Sequence, residues 1–256
     1  MSKKVLAVGL VLVAALTAYY FSPTQRAARF VNQLVERNVT ARGGESAWSE
    51  LSSLRLTGQM DVGQGLAVPY VLEQKRPGKM RLEYVFDNAT AIQATDGKSG
   101  WKVVPFMGKP APEAMSESEL REAADTGDLY GLLFDYEERG HRLEFMGTEK
   151  VGELDTLKLK VTLPRGSVRW VFLDAETALE IKVETRRTLA GKERKVETFY
   201  HDWQPTGDLL FARYQETLTE GDKESHFLTI ESVTVNPPLD DSRFAPPAGT
   251  KPAPTQ

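Results

Sequence analysis

The sequence predicts a mainly β (α+β) protein in which about eleven short antiparallel strands form a single sandwich or incomplete barrel. Three observations carry this. From Ser52 onward apolar and polar side chains alternate with a period of two, the period of a strand with one buried face. Turn residues punctuate that alternation at short, even intervals, which favours antiparallel hairpins over a parallel sheet. Helical spacing is confined to residues 24–42, a short turn at 45–51 and residues 116–136.

In chain order, residues 24–42 place Ala27, Phe30, Val31, Leu34 and Val35 on one helical stripe, and Gly43-Gly44 stops that helix. A helical turn carrying Trp48 follows. Residues 53–60 form a strand with Leu54, Leu56 and Met60 on one face and Arg55, Thr57 and Gln59 on the other. Residues 70–86 are a hairpin about Arg76-Pro77-Gly78. Its first strand sets Tyr70 and Leu72 on one side, and its second sets Met80, Leu82, Tyr84 and Phe86 together. Residues 89–95 and 100–105, the latter carrying Trp101, continue the meander, and 105–112 reads as a loop.

Ser116 begins a helix with acids in its first turn, where a serine oxygen caps free amides and carboxylates suit the positive end of the helix dipole. Gly127 and Gly131 divide it, and its second half (Leu129, Tyr130, Leu132, Leu133, Phe134) is the more apolar. Strands resume at 141–150, 154–163, 167–174, 179–189, 192–203, 209–220 and 223–235. The plainest alternation is Leu157, Leu159 and Val161 against Lys158, Lys160 and Thr162. Residues 23–244 thus read as one domain, and the Pro-rich residues 245–256 as a disordered tail.

Residues 1–22 open with Lys3 and Lys4 and run apolar from Val5 to Phe21. That is either a cleaved export signal or a retained inner-membrane anchor at residues 5–21, since an apolar run with a basic flank orients its positive end toward the cytoplasm. Both readings export the rest of the chain, into a bacterial periplasm. The absence of cysteine excludes disulfides, thiolate chemistry and an acylated-cysteine anchor. A net charge of -4 with no basic stripe argues against nucleic acid.

No catalytic, metal or cofactor constellation emerges. His141, His201 and His226 are far apart and lack ligand spacing, and Glu73, Glu83, Glu184 and Glu197 sit among Lys and Arg as cross-strand charge ladders. The expectation is therefore a non-enzymatic, cofactor-free monomer. An antiparallel sheet must cover its apolar face, and few segments are available to do so. If the sheet curls into an incomplete barrel, large residues such as Met60, Tyr70, Met80, Tyr84, Phe86, Trp101, Trp170 and Phe172 line an apolar cavity, the alternative being a filled core. Leu54, Leu56, Leu72, Leu82, Leu157, Leu159 and Val161 belong to the same candidate lining. Phe30, Leu34, Leu129, Tyr130, Leu132 and Leu133 form the candidate lid, and Arg76, Lys79 and Arg81 a basic rim facing water.

Several short stretches stand in one order along the chain: residues 35–38 with 41–48, Lys75-Arg76-Pro77-Gly78-Lys79-Met80-Arg81, Asp96-Gly97-Lys98-Ser99-Gly100-Trp101, Leu173-Asp174-Ala175-Glu176-Thr177, and residues 236–244. Together they resemble the periplasmic outer-membrane lipoprotein-sorting proteins related to LolA and LolB. The resemblance implies a half-open, strongly curved antiparallel sheet with a helical lid, holding lipid or lipoprotein acyl chains. It also implies an inner-membrane transporter that loads them and an outer-membrane acceptor. Lacking a lipobox cysteine, the chain is more similar to the soluble carriers. A second expectation on the same fold is an envelope stress sensor or assembly adaptor that binds a protein partner.

Overall fold

The computed structural model describes residues 23–63, 65–189 and 191–251, and the expected export signal or anchor at residues 1–22 and the end of the expected tail at 252–256 lie outside them. Among the described residues three α-helices, α1 (Pro23–Ala41), α2 (Glu45–Glu50) and α3 (Glu117–Thr126), accompany thirteen strands. These are β1 (Ser53–Asp61), β2 (Ala67–Lys75), β3 (Lys79–Phe86), β4 (Ala89–Thr95), β5 (Gly100–Val104), β6 (Lys109–Ala114) and β7 (Arg142–Val151). They continue as β8 (Leu154–Thr162), β9 (Val168–Asp174), β10 (Glu180–Leu189), β11 (Lys192–Thr206), β12 (Leu209–Thr219) and β13 (His226–Val235).

All thirteen belong to one sheet in the order β6-β5-β4-β3-β2-β1-β13-β12-β11-β10-β9-β8-β7. Two meanders, β1 to β6 and β7 to β13, are joined where β1 pairs antiparallel with β13, from Leu54 opposite Val235 to Met60 opposite Leu228. β6 and β7 are the two outermost strands, so the sheet is open, and residues 115–141 cross from one to the other.

The sheet curls around that crossing. β3 and β9 are seven strands apart in the order, about 34 Å across a flat sheet. Yet α3, ten residues and about 15 Å long, packs on β3, β4 and β5 while forming ion pairs with Arg169 of β9 and Arg187 of β10. Only a strongly curved sheet brings the two wings to one short helix.

Three departures from the sequence reading have physical causes. Residues 109–114, expected to be loop, form β6, which tolerates Pro110 and Pro112 because it pairs with β5 alone on one side. The apolar half of the expected 116–136 helix is instead a chain of turns, with positive φ at Gly131, Asp135 and Gly140. Residues 245–251, expected to be part of a disordered tail, return to β6: Ala114 N–H donates to Lys251 O at 2.8 Å, and Lys251 N–H donates to Pro112 O at 2.9 Å.

The C-terminal segment also covers the face of β1 to β5 that carries no helix. Phe244 is fully buried there, and Trp101 Nε1 donates to its carbonyl at 3.1 Å. Beside it Glu73, only 1% exposed, accepts from Arg55 Nε at 2.9 Å and from Arg243 Nε at 2.6 Å. Burial pushes the Glu73 carboxyl up, but hydrogen bonds from Arg243 and Arg55 outweigh it and hold the group below its ordinary value. A carboxylate whose folded pKa is depressed stabilises fully above its unfolded value, about 4.3, and that contribution fades as pH falls through the folded value. Arg243→Ala should therefore cost about 1–3 kcal/mol in urea unfolding at pH 7 and shift the acid-unfolding midpoint to higher pH.

Candidate functional site

All three helices cover the concave face, and each meets its own apolar cluster. Under α1, the buried Val31, Leu34 and Val35 pack with Leu159, Val161, Val171 and Leu173 of β8 and β9, joined by Leu133 from the crossing segment. Under α2, Trp48 and Leu51 meet Leu54, Leu129, Phe134, Leu209 and Phe211. Under α3, the cluster is Leu56, Tyr70, Leu72, Met80, Met115, Ala123 and Ile230, with Met60, Leu82, Tyr84, Leu120 and Leu228 against it.

Of the candidate lining, the structure brings Leu56, Met60, Tyr70, Leu72, Met80, Leu82 and Tyr84 together beneath α3. Strand register explains it: Leu56 lies opposite Leu72, Leu72 opposite Leu82, and Tyr70 opposite Tyr84, so one parity of three strands shares a face. Leu54 joins the α2 cluster, and Leu157, Leu159 and Val161 lie beneath α1. Phe86 sits at the end of β3 against Phe106, ring centroids 5.1 Å apart.

Trp101, Trp170 and Phe172 belong to the opposite, convex face. Phe172 is opposite Lys158 and Trp170 opposite Lys160, while Val171 and Leu173 take the concave side. The Lys182 ammonium lies 4.1 Å from the centre of the Phe172 ring and that of Lys158 4.8 Å. Trp101 is covered by the C-terminal segment.

In the candidate lid, Leu34, Leu129 and Leu133 are buried and Leu132 is half-buried, whereas Phe30 is exposed. Tyr130 stacks on Phe134 at 5.1 Å and lies under the Arg76 guanidinium at 3.7 Å. The expected water-facing rim is instead internally paired. Arg76 donates to Trp48 O and Ser49 O at the end of α2, at 2.6 and 3.0 Å. Lys79 pairs with Asp241 at 2.7 Å. Arg81 pairs with Glu83 at 2.5 Å and donates to Arg243 O at 3.0 Å. The partners of Lys79 and Arg81 include residues some 160 positions later, which the local sequence does not reveal. Lys75 and Lys79 together draw the Asp241 carboxyl down to about 2.

Sequence reasoning missed Met115, Leu228, Ile230, Phe106, Phe211 and Leu209, which complete the concave clusters or their ends. The alternation Leu228, Ile230 along β13 was the available signal; Met115 had none, lying between β6 and α3.

α3 is an unusual cover. Its sequence, ESELREAADT, buries Ala123 and half-buries Leu120, and its remaining attachments are polar. Ser116 and Glu119 form a capping box at its start. On the β2–β5 wing, Gln74 donates to Thr126 O and Lys102 pairs with Glu119. Burial opposes the Lys102 charge, but Glu119 and Glu113 outweigh it and raise its pKa. On the other wing, Asp125 meets Arg169 at 2.7 Å and Glu122 meets Arg187 at 3.8 Å. Two buried hydroxyls, Tyr70 Oη and Thr185 Oγ1, have no hydrogen-bond partner among the described residues. The best-formed recesses among those residues are open and small: about 330 Å³ beside Glu36, Arg37, Thr40, Ala41 and Thr177, and about 170 Å³ beside Tyr70, Glu83, Tyr84 and Thr90. The concave face is thus occupied by the protein's own helices and crossing segment.

Such a fold defines a class: an open antiparallel sheet wrapped around covering helices. No family model matches the sequence, and no curated protein does. Solved structures do share the architecture. A DUF1329 family protein from Desulfovibrio piger superposes with a TM-score of 0.57 at 13% identity, over 84% of this chain and 97% of that one. A LolA superfamily protein from Nitrosomonas europaea gives 0.56 at 12% identity, over 84% and 97%. An outer membrane lipoprotein-sorting protein domain from Vibrio parahaemolyticus gives 0.53 at 13%, over 83% and 94%. The chain has a LolA-like fold, and the resemblance read from the sequence holds at that level.

Half-exposed ion pairs contribute about 0.2–1 kcal/mol each. Replacing both acids facing β9 and β10, Asp125→Asn with Glu122→Gln, should speed hydrogen exchange at the α3 amides roughly 2- to 30-fold and leave the α1 amides unchanged. Raising the salt concentration should act on the wild-type helix in the same direction.

Proposed function

We propose that the protein is a non-enzymatic carrier of lipid acyl chains, acting on the exported side of the inner membrane in the movement of lipid or lipoprotein toward the outer membrane. The observation that carries this reading is the mismatch beneath α3: a broad apolar surface of Leu56, Tyr70, Leu72, Met80 and Met115 under a lid that is mostly polar. Lifting the lid breaks ion pairs that water readily replaces and uncovers a surface that an acyl chain covers well. Met60, Met80 and Met115 suit it to cargo of varied shape, because unbranched thioethers repack easily. The fold shared with a lipoprotein-sorting domain supports the same reading.

Energetics set the terms. Each methylene removed from water is worth about 0.8 kcal/mol, so a sixteen-carbon chain represents on the order of 12 kcal/mol gross. A membrane offers nearly the same, so net movement needs a loading machine at the inner membrane and a tighter acceptor beyond it. Closure of the concave face by α3 in the unloaded protein is what keeps that apolar surface from water between the two.

The test is lipid mass spectrometry of the purified protein together with titration of a fluorescent fatty acid. Bound lipid and saturable binding are expected, and Leu82→Glu, which places a carboxylate within the α3 cluster, should abolish both while a convex-face change, Leu218→Glu, leaves them intact. A lipid-free protein that fails to bind the probe refutes the proposal.

A further inference from the structure

Only Ser22 separates the apolar run ending at Phe21 from Pro23, where α1 begins. α1 continues unbroken to Ala41 and is built into the body from Val31 onward, about 12 Å from its start. Its far end is pinned where Asn38 Nδ2 donates to Ala178 O at 2.8 Å. With one residue between the run and α1, a body attached in this way is held within about 12 Å of whatever holds the apolar run.

Exposed apolar side chains lie further along α1 and on β7. Phe30, two helical turns into α1, is 40% exposed and meets the edge of Phe145 on β7, ring centroids 4.8 Å apart. Phe145 is itself 36% exposed, and the next residue, Met146, is 51% exposed in a bulge of β7 between Phe145 and Thr148. Apolar side chains of this kind can bury themselves in the boundary between headgroups and acyl chains.

We propose that Phe30, Phe145 and Met146 form a membrane-contact face that rests on the bilayer holding residues 5–21, so that the carrier works as a tethered relay with this side fixed to the lipid surface. The inference rests on retention of that run as an anchor, and it stands whether or not the concave face takes an acyl chain. It commits to a lipid surface because the run leading into α1 ends one residue from the helix, whereas Met107 and Leu66, comparably exposed, sit on connections of the β1–β6 meander.

The chain contains no cysteine, so single labels need no background removal. Full-length Met146→Cys, Met107→Cys and Leu66→Cys variants, each carrying an environment-sensitive fluorophore, are reconstituted into phosphatidylethanolamine–phosphatidylglycerol vesicles containing a headgroup nitroxide lipid. The label at 146 should be quenched severalfold more than the labels at 107 and 66. Quenching at 146 no greater than at either reference site overturns the membrane-contact face. Failure of the full chain to float with vesicles after an alkaline carbonate wash overturns the anchor, and the face with it; flotation without preferential quenching refutes the face alone.

Discussion

Everything in this structure depends on the antiparallel pairing of β1 with β13. Each meander is a run of local hairpins, and the clusters under α2 and α3 take residues from both. Their junction places Leu54 beside Val235 and Met60 beside Leu228, residues separated by most of the chain. Such a pairing forms only after a long loop is closed, which makes it slow and strongly dependent on the contacts that follow. Those contacts are the ones beneath α2 and α3, where Leu54, Leu56 and Ile230 from the junction meet residues of β2, β3 and β12.

Curvature turns this junction into a functional geometry. The crossing from β6 to β7 has to traverse the open side of the sheet, so the longest interruption of the strands covers the concave face. Apolar burial holds α1 and α2, while α3 is attached largely through Glu119, Glu122, Asp125 and the Thr126 carbonyl. Apolar and polar attachment are thereby assigned to different helices on one face.

Much of this was legible in the sequence. Alternation located all the strands except β6, whose two prolines imitate a loop, and it grouped the β1, β2 and β3 residues that share the α3 cluster. It did not say which face a group occupies when both are apolar. β9 alternates Trp170 and Phe172 with Val171 and Leu173, and only its register with the lysines and leucines of β8 decides the matter. The basic residues near the first hairpin were legible as charges but not as pairs. Asp241 and Arg243 lie far along the chain and reach that hairpin only because the C-terminal segment folds across the convex face.

An open sheet leaves two strands with unpaired backbone groups, ready templates for joining another chain. Here the first helix and the last described residues attend to one each. Lys251 bonds the backbone of β6, whose prolines already remove donors, and α1 lies against β7, which a bulge distorts. α1 and residues 245–251 therefore guard against self-assembly, and removing either would trade a tidy boundary for an adhesive one.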